Sequence, residues 1–201
     1  MGETYDEAVD RAHDFGYTPA TESRRLISHG LPKELPETLG GRHRFTPLSL
    51  YVGERIAAAG FARLDAVGRF WFDVWLLSHK RGRWNLRSGK STAADPADED
   101  VLARRPPAAV LDGHAQAGQS AQFDANSGRW LPWPAKWMAF GIIRLSAEVG
   151  AVRMEGLEIT IPEHGHQALA WWPNRNGLSI DLLDHKGDRL SALSLRWPGA
   201  P

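Results

Sequence analysis

Two histidines separated by one residue, His164 and His166, are the side chains in this sequence best spaced for metal chemistry. On an extended chain residues two apart share a face, so both imidazoles point the same way, with Glu163 beside them as a third donor. Pro162-Glu163-His164-Gly165 also has the composition of an ordinary polar turn, which needs no ligand. Nine tryptophans are the second chemical resource. Trp130, Trp133 and Trp172 are the candidates for a ligand-binding platform, because an exposed indole face takes a sugar or another flat group. Trp171 and Trp172 are adjacent, so on a strand they point to opposite faces. Trp71, Trp75, Trp84 and Trp197 read as core.

Carboxylate pairs suited to glycan processing are Asp65 with Asp73 and Glu155 with Glu158, although alternating strands put such residues on a solvent face. Ser88-Gly89-Lys90-Ser91-Thr92 ends like a phosphate-binding loop. Trp84 stands five residues before Gly89, where that loop needs glycine, and an acidic stretch follows where it needs a helix. Arg81, Arg83, Arg87 and Lys90 around Trp84 form a basic strip with an aromatic insertion, which suits phosphates. A charged hairpin tip that keeps a sheet edge soluble accounts for the same residues. No Gly-x-Ser-x-Gly nucleophile elbow is present.

The spacing of His164 and His166 resembles the His-x-His of cupins, which are β-barrels. That resemblance implies a metal-dependent enzyme and covers only these few residues. A cupin carries glutamate three or four residues after the second histidine, where this chain has Leu169 and Ala170, and no Pro-x-Gly-x-x-His element follows.

Composition closes several classes. The chain has no cysteine, which excludes a disulfide framework, a thiolate metal site and a cysteine nucleophile. Its 24 basic and 24 acidic residues cancel, which removes the long-range attraction of a nucleic-acid binder, so nucleic acid is not an expected partner. No apolar run reaches the roughly 18 residues of a membrane span, so no membrane partner is expected. The acidic start, Met1-Gly2-Glu3-Thr4-Tyr5-Asp6, lacks the features of a signal peptide, and the expectation is a soluble cytoplasmic protein without a cofactor. At 201 residues and 42% hydrophobic content, one substantial core is within reach.

The elements follow from periodicity. Thr4 to Phe15 and the stretch opened by Thr18-Pro19 and closed by Gly30 read as two short helices, followed by a loop from Leu31 to Thr46. Leu48 to Ala59 is compatible with helix or strand, and helix is the expectation. Strands are expected over Phe61 to Val67, Phe70 to Leu77 and Trp84 to Leu86, with a tight turn at residues 80–83. Residues 88–107, rich in small and acidic residues, read as a mobile loop. Residues 61–90 carry a charge balance of +5 and residues 91–112 one of −3, so the loop could fold back on the basic hairpin. After one or two strands between Ala108 and Phe123, a β-meander is expected over Met138 to Ala147, Val152 to Ile161, Gln167 to Trp172, Leu178 to Leu183 and Leu190 to Trp197. Phase slips at Gly156 and near Leu193 suggest bulges and curved strands.

The expected architecture is mainly β: an antiparallel β-sandwich or jelly-roll-like domain over residues 61–201, with a helical segment over residues 1–60 packed on it. The expected function is a non-catalytic ligand-binding or protein-interaction module, an analogy from fold. Its partner would be a small molecule, a glycan or a protein. The alternatives are a metal-dependent enzyme through His164 and His166, a glycan-processing enzyme, and a structural subunit of a protein assembly.

Overall fold

The computed structural model describes residues 16–36, 38–41, 43–94, 102–126, 135–173 and 178–195. The described residues are mainly β and sandwich-like, with two short helices and three antiparallel sheets among them. Helix α1 (Pro19–His29) begins with proline in its first turn and stops at Gly30, whose positive φ of 79° lets its N–H bond back to Leu26 O. The first sheet holds β1 (Phe45–Val52), β2 (Ile56–Leu64), β3 (Phe70–Lys80) and β4 (Arg83–Ala93) in sequence order. The short helix α2 (Ala108–Leu111) leads into the second sheet, made of β5 (Ala115–Asp124), β6 (Trp137–Leu145) and β9 (His166–Trp171). The third contains β7 (Ala151–Met154), β8 (Leu157–Thr160), β10 (Leu178–Leu183) and β11 (Arg189–Leu195) in the order β11-β10-β7-β8.

Both faces of the first sheet are covered. On one face Ala57, Ala59, Phe61, Trp75, Leu77 and Leu86 pack with Ala20 and Leu26 of α1. On the other, Ala58, Ala62, Phe72, Val74 and Leu76 join Met138, Phe140, Ile142 and Ala168 of the second sheet. Small residues on β2 and β9 permit this close approach, since a Cβ built at Gly60 would lie 3.3 Å from Ala168 Cβ. The helix-side face also buries a polar network. Arg63 Nε donates to Asp73 Oδ2 at 2.7 Å, Tyr17 OH donates to the same oxygen at 2.9 Å, and Trp75 Nε1 donates to Tyr17 OH at 2.9 Å. These bonds hold the stretch before α1 onto the sheet.

The two facing sheets meet at their edges through side chains. At one seam, Ser49 Oγ accepts the Ala168 N–H at 2.8 Å, and Gln167 Nε2 donates to Leu50 O at 3.3 Å. At the other, Lys90 Nζ donates to Ser120 O at 2.9 Å, Gln119 Nε2 donates to Phe72 O at 2.9 Å, and Thr92 Oγ1 bonds Gln119 Oε1.

Several sequence expectations are corrected. Leu48 to Ala59 is the β1–β2 hairpin instead of a helix, because every residue from Ile56 to Arg63 is buried and a two-sided sheet position overrides the helix propensity of alanine. Strand β2 therefore runs through residue 60, where the helical segment was expected to end. Ser88 to Ala93 belongs to β4 rather than to a loop, since β3 spans 11 residues and its backbone needs a partner along that length. Residues 95–101 lie outside the described residues, as do Thr4 to Phe15 and Trp197. Gly156 is a turn rather than a bulge: Glu155 and Gly156 have φ of 51° and 81°, and Val152 stands directly opposite Ile159. The bulge in the last hairpin falls at Leu190, not near Leu193, because Leu182 pairs with Ser191 and Leu183 with Arg189. The expected meander is split, with β9 returning to β6 while β7, β8, β10 and β11 form their own sheet.

Gly89 faces Trp75 across the β3–β4 pair, and a Cβ there would lie 2.0 Å from the indole ring. A Gly89→Ala substitution is expected to destabilise the protein by roughly 1–3 kcal/mol through overpacking. Urea denaturation measures this, and an unchanged midpoint would contradict the packing described.

Candidate functional site

The histidine pair is built into the edge seam. Pairing of β1 with β2 skips Leu48, so this residue is bulged and its carbonyl lies outside the ladder. The Nε2 of His164 lies 3.0 Å from Leu48 O, and its Nδ1 accepts the His166 N–H at 3.0 Å. Accepting at Nδ1 fixes the neutral tautomer with the proton on Nε2, which donates to Leu48. Both ring nitrogens of His164 are thus engaged within the protein. His166 is buried, with its ring 4.7 Å from that of Phe72. Burial first, then the Arg105 charge, lowers the His164 pKa from 6.5 to about 4, against the bond to Leu48. Burial, His164 and Arg144 lower that of His166 to about 3. Among the described residues no group of three or more histidine, cysteine, aspartate or glutamate side chains converges on one point.

The carboxylate pairs are also committed elsewhere. Asp73 is fully buried against Arg63, not on a solvent face, because the sheet is covered there by Tyr17 and α1. Asp65 accepts the Val67 and Arg69 N–H groups and Trp71 Nε1, which closes the β2–β3 turn. Glu158 pairs with Arg153 on the surface and Glu155 sits in the β7–β8 turn.

Of the tryptophans proposed as a platform, Trp172 is half-buried, whereas Trp130 and Trp133 lie outside the described residues. Trp75 and Trp171 are core, Trp71 and Trp84 are half-buried, and Trp137 is exposed. Trp171 turns instead to a small apolar cleft shared with Leu169, Ser194 and Leu195.

Trp172 lines a cavity of about 160 Å³ at one end of the interface between the two facing sheets. Arg55, His79, Lys80, Arg87 and Lys136 surround it with Ser78, Asn126 and Met138, and no acidic side chain is among the described lining residues. Each arginine and lysine arrives by a local device. Arg55 lies in the β1–β2 turn, where the Gly53 N–H bonds to Ile56 O at 2.9 Å. Lys80 ends β3, where Arg81 and Gly82 have φ of 53° and 75° and make the two-residue turn expected from the sequence. Arg87 is the extra residue of a β-bulge, since Leu77 pairs with Leu86 and Leu76 with Ser88. Its Nε donates to Ser78 Oγ at 2.7 Å, which orients the guanidinium, and partial burial lowers its pKa. Asp124 Oδ1 accepts the Asn126 and Lys136 N–H groups, at 2.8 and 2.9 Å, and so positions the residues that flank 127–134. The Lys136 ammonium stands 4.6 Å from the centre of the Trp172 ring. No described acidic residue forms an ion pair with Arg55, Lys80, Arg87 or Lys136.

The sequence singled out Trp172 and Arg87 but not Arg55, Lys80 or Lys136. Lys136, three residues after Trp133, is the one signal the sequence offers; Arg55 is hidden inside the stretch read as helix. No family model, curated protein or solved structure matches this chain.

The lowered histidine pKa values predict how stability depends on pH. Above about pH 7 both rings are neutral in either state; as the pH falls below 6.5 the unfolded chain takes up protons that the folded one refuses. Stability therefore drops between about pH 6.5 and 4, by up to about 1.4 kcal/mol per unit for each histidine. Urea titrations at several pH values should show a shallower dependence in His164→Gln than in the parent. Equal slopes would contradict the role of His164.

Proposed function

We propose that this chain is a non-catalytic ligand-binding module whose site is the Trp172 cavity and whose ligand is a small anion. The observation that carries this is convergence: four arginine and lysine side chains from three separated stretches line one concavity without a described acidic partner. In a chain with no net charge, such one-sided lining is a local property. It favours an anion over a neutral glycan, which would call for acceptors as well as donors around the indole.

Arg87 is the side chain best prepared for recognition. With Nε held by Ser78, its terminal N–H groups are presented in a fixed plane, the geometry that suits a carboxylate or phosphate. Arg55 and Lys80 are exposed and contribute attraction that salt screens.

Isothermal titration with inorganic phosphate and with acetate, at low and raised ionic strength, tests this reading. Binding of one or both is expected to weaken with salt, and Arg87→Gln is expected to weaken it about tenfold at low salt, as for a lost charge-assisted bond. Binding of neither anion, or binding indifferent to Arg87→Gln, would overturn it.

A further inference from the structure

We infer that the cavity is specific for a planar aromatic anion: a flat ring seated on the Trp172 indole, with its carboxylate or phosphate group among Arg55, Lys80 and Arg87. This rests on the anion-binding reading above and adds the class of ligand.

Lys136 is exposed, yet its ammonium lies over the Trp172 ring at 4.6 Å and not in solvent alone. An ammonium there is held by the ring quadrupole, a contact of modest strength at a partly exposed site. The face of Trp172 is therefore covered by a side chain that is mobile by nature and readily displaced. A flat aromatic group gains more from stacking on that face than the ammonium does, and the displaced ammonium is left beside a bound anion.

The rest of the lining fits the same occupant. Met138 is buried beneath the cavity and supplies a polarizable apolar surface for a ring edge. Ser78 and Arg87 form one wall, with the guanidinium plane fixed by their bond. Asn126 also lines the cavity, next to the Asp124-held turn. At about 160 Å³ the cavity has room for a small ring system beside the indole. Among the described residues, the apolar cleft beside Trp171 is lined by no arginine or lysine, and the larger cavity beside Glu163 by no tryptophan, tyrosine or phenylalanine.

The probes are 2-naphthoate and 2-naphthyl phosphate as planar anions, decahydronaphthalene-2-carboxylate as a saturated anion, and 2-naphthalenemethanol as a neutral planar compound. Each is titrated calorimetrically into the full chain. At least one planar anion is expected to bind about tenfold tighter than both the saturated acid and the neutral alcohol, as base-on-tryptophan stacking elsewhere suggests. Trp172→Leu is expected to abolish the preference for the planar anion while changing the affinity for the saturated acid less than about twofold, and Trp172→Phe to retain most of it. Thermal unfolding of each variant checks that it is folded. Equal binding of planar and saturated acids, unaltered by Trp172→Leu, would overturn the stacking inference and leave the anion site standing. Binding of none of the acids would overturn both.

Discussion

The carbonyl of Leu48 has no place in a β ladder, and the way it is satisfied organises the molecule. Pro47 precedes it and the β1–β2 register skips it, so the strand edge presents a bent stretch with unused acceptors. His164 and Gln167 supply the donors, to Leu48 O and Leu50 O, and Ser49 returns an acceptor to the Ala168 N–H. Three side chains thus do at this seam what a strand pairing would do elsewhere. They close the edges against further pairing and fix how the two sheets face each other.

The direction of that seam explains where the candidate site lies. Contacts run from Leu48 with His164 to Leu50 with Gln167, so β1 and β9 travel the same way along it. Each strand then delivers its end to the same end of the interface: β1 leads to the turn with Arg55, and β9 leads to Trp172. The second seam works in parallel. Lys90, Thr92 and Gln119 tie β4 to β5, while the bulge at Arg87 on β4 sends its side chain to the same cavity. The histidine pair spaced like a metal site is thus part of the seam that leads to the Trp172 cavity, at the far end of the same strand.

Legibility in the sequence followed the range of the interactions involved. Helix α1 was readable because its signals, Thr18-Pro19 and Gly30, are local, and the 80–83 turn was readable from Lys-Arg-Gly-Arg alone. The apolar strands β3, β6, β9 and β10 were readable from their runs. Failures came where a distant partner decides. Alanines 57–59 make a strand only because both faces of β2 are covered, and Gly89 is tolerated within β4 because Trp75 lies over it. Asp73 looked like a solvent-face acid because its partners, Tyr17 and Arg63, are 56 and 10 residues away. The site was half visible for the same reason: tryptophan and the basic strip stand out in a sequence, but the meeting of Arg55, Lys80, Arg87 and Lys136 is made by the register of three hairpins.

In the proposed function, the seams position one end of the sheet interface as an anion-binding cavity. Two-dimensional NMR of the isotope-labelled chain, titrated with 2-naphthoate, addresses it most directly, because it locates binding without presuming the site. Shifts are expected to concentrate on the Trp172 and Asn126 side chains and on the backbone of Arg55, Ser78, Arg87 and Lys136. Shifts concentrated instead around Leu31 to Leu35 and Glu163, or around Gln119 and Leu195, would contradict the account.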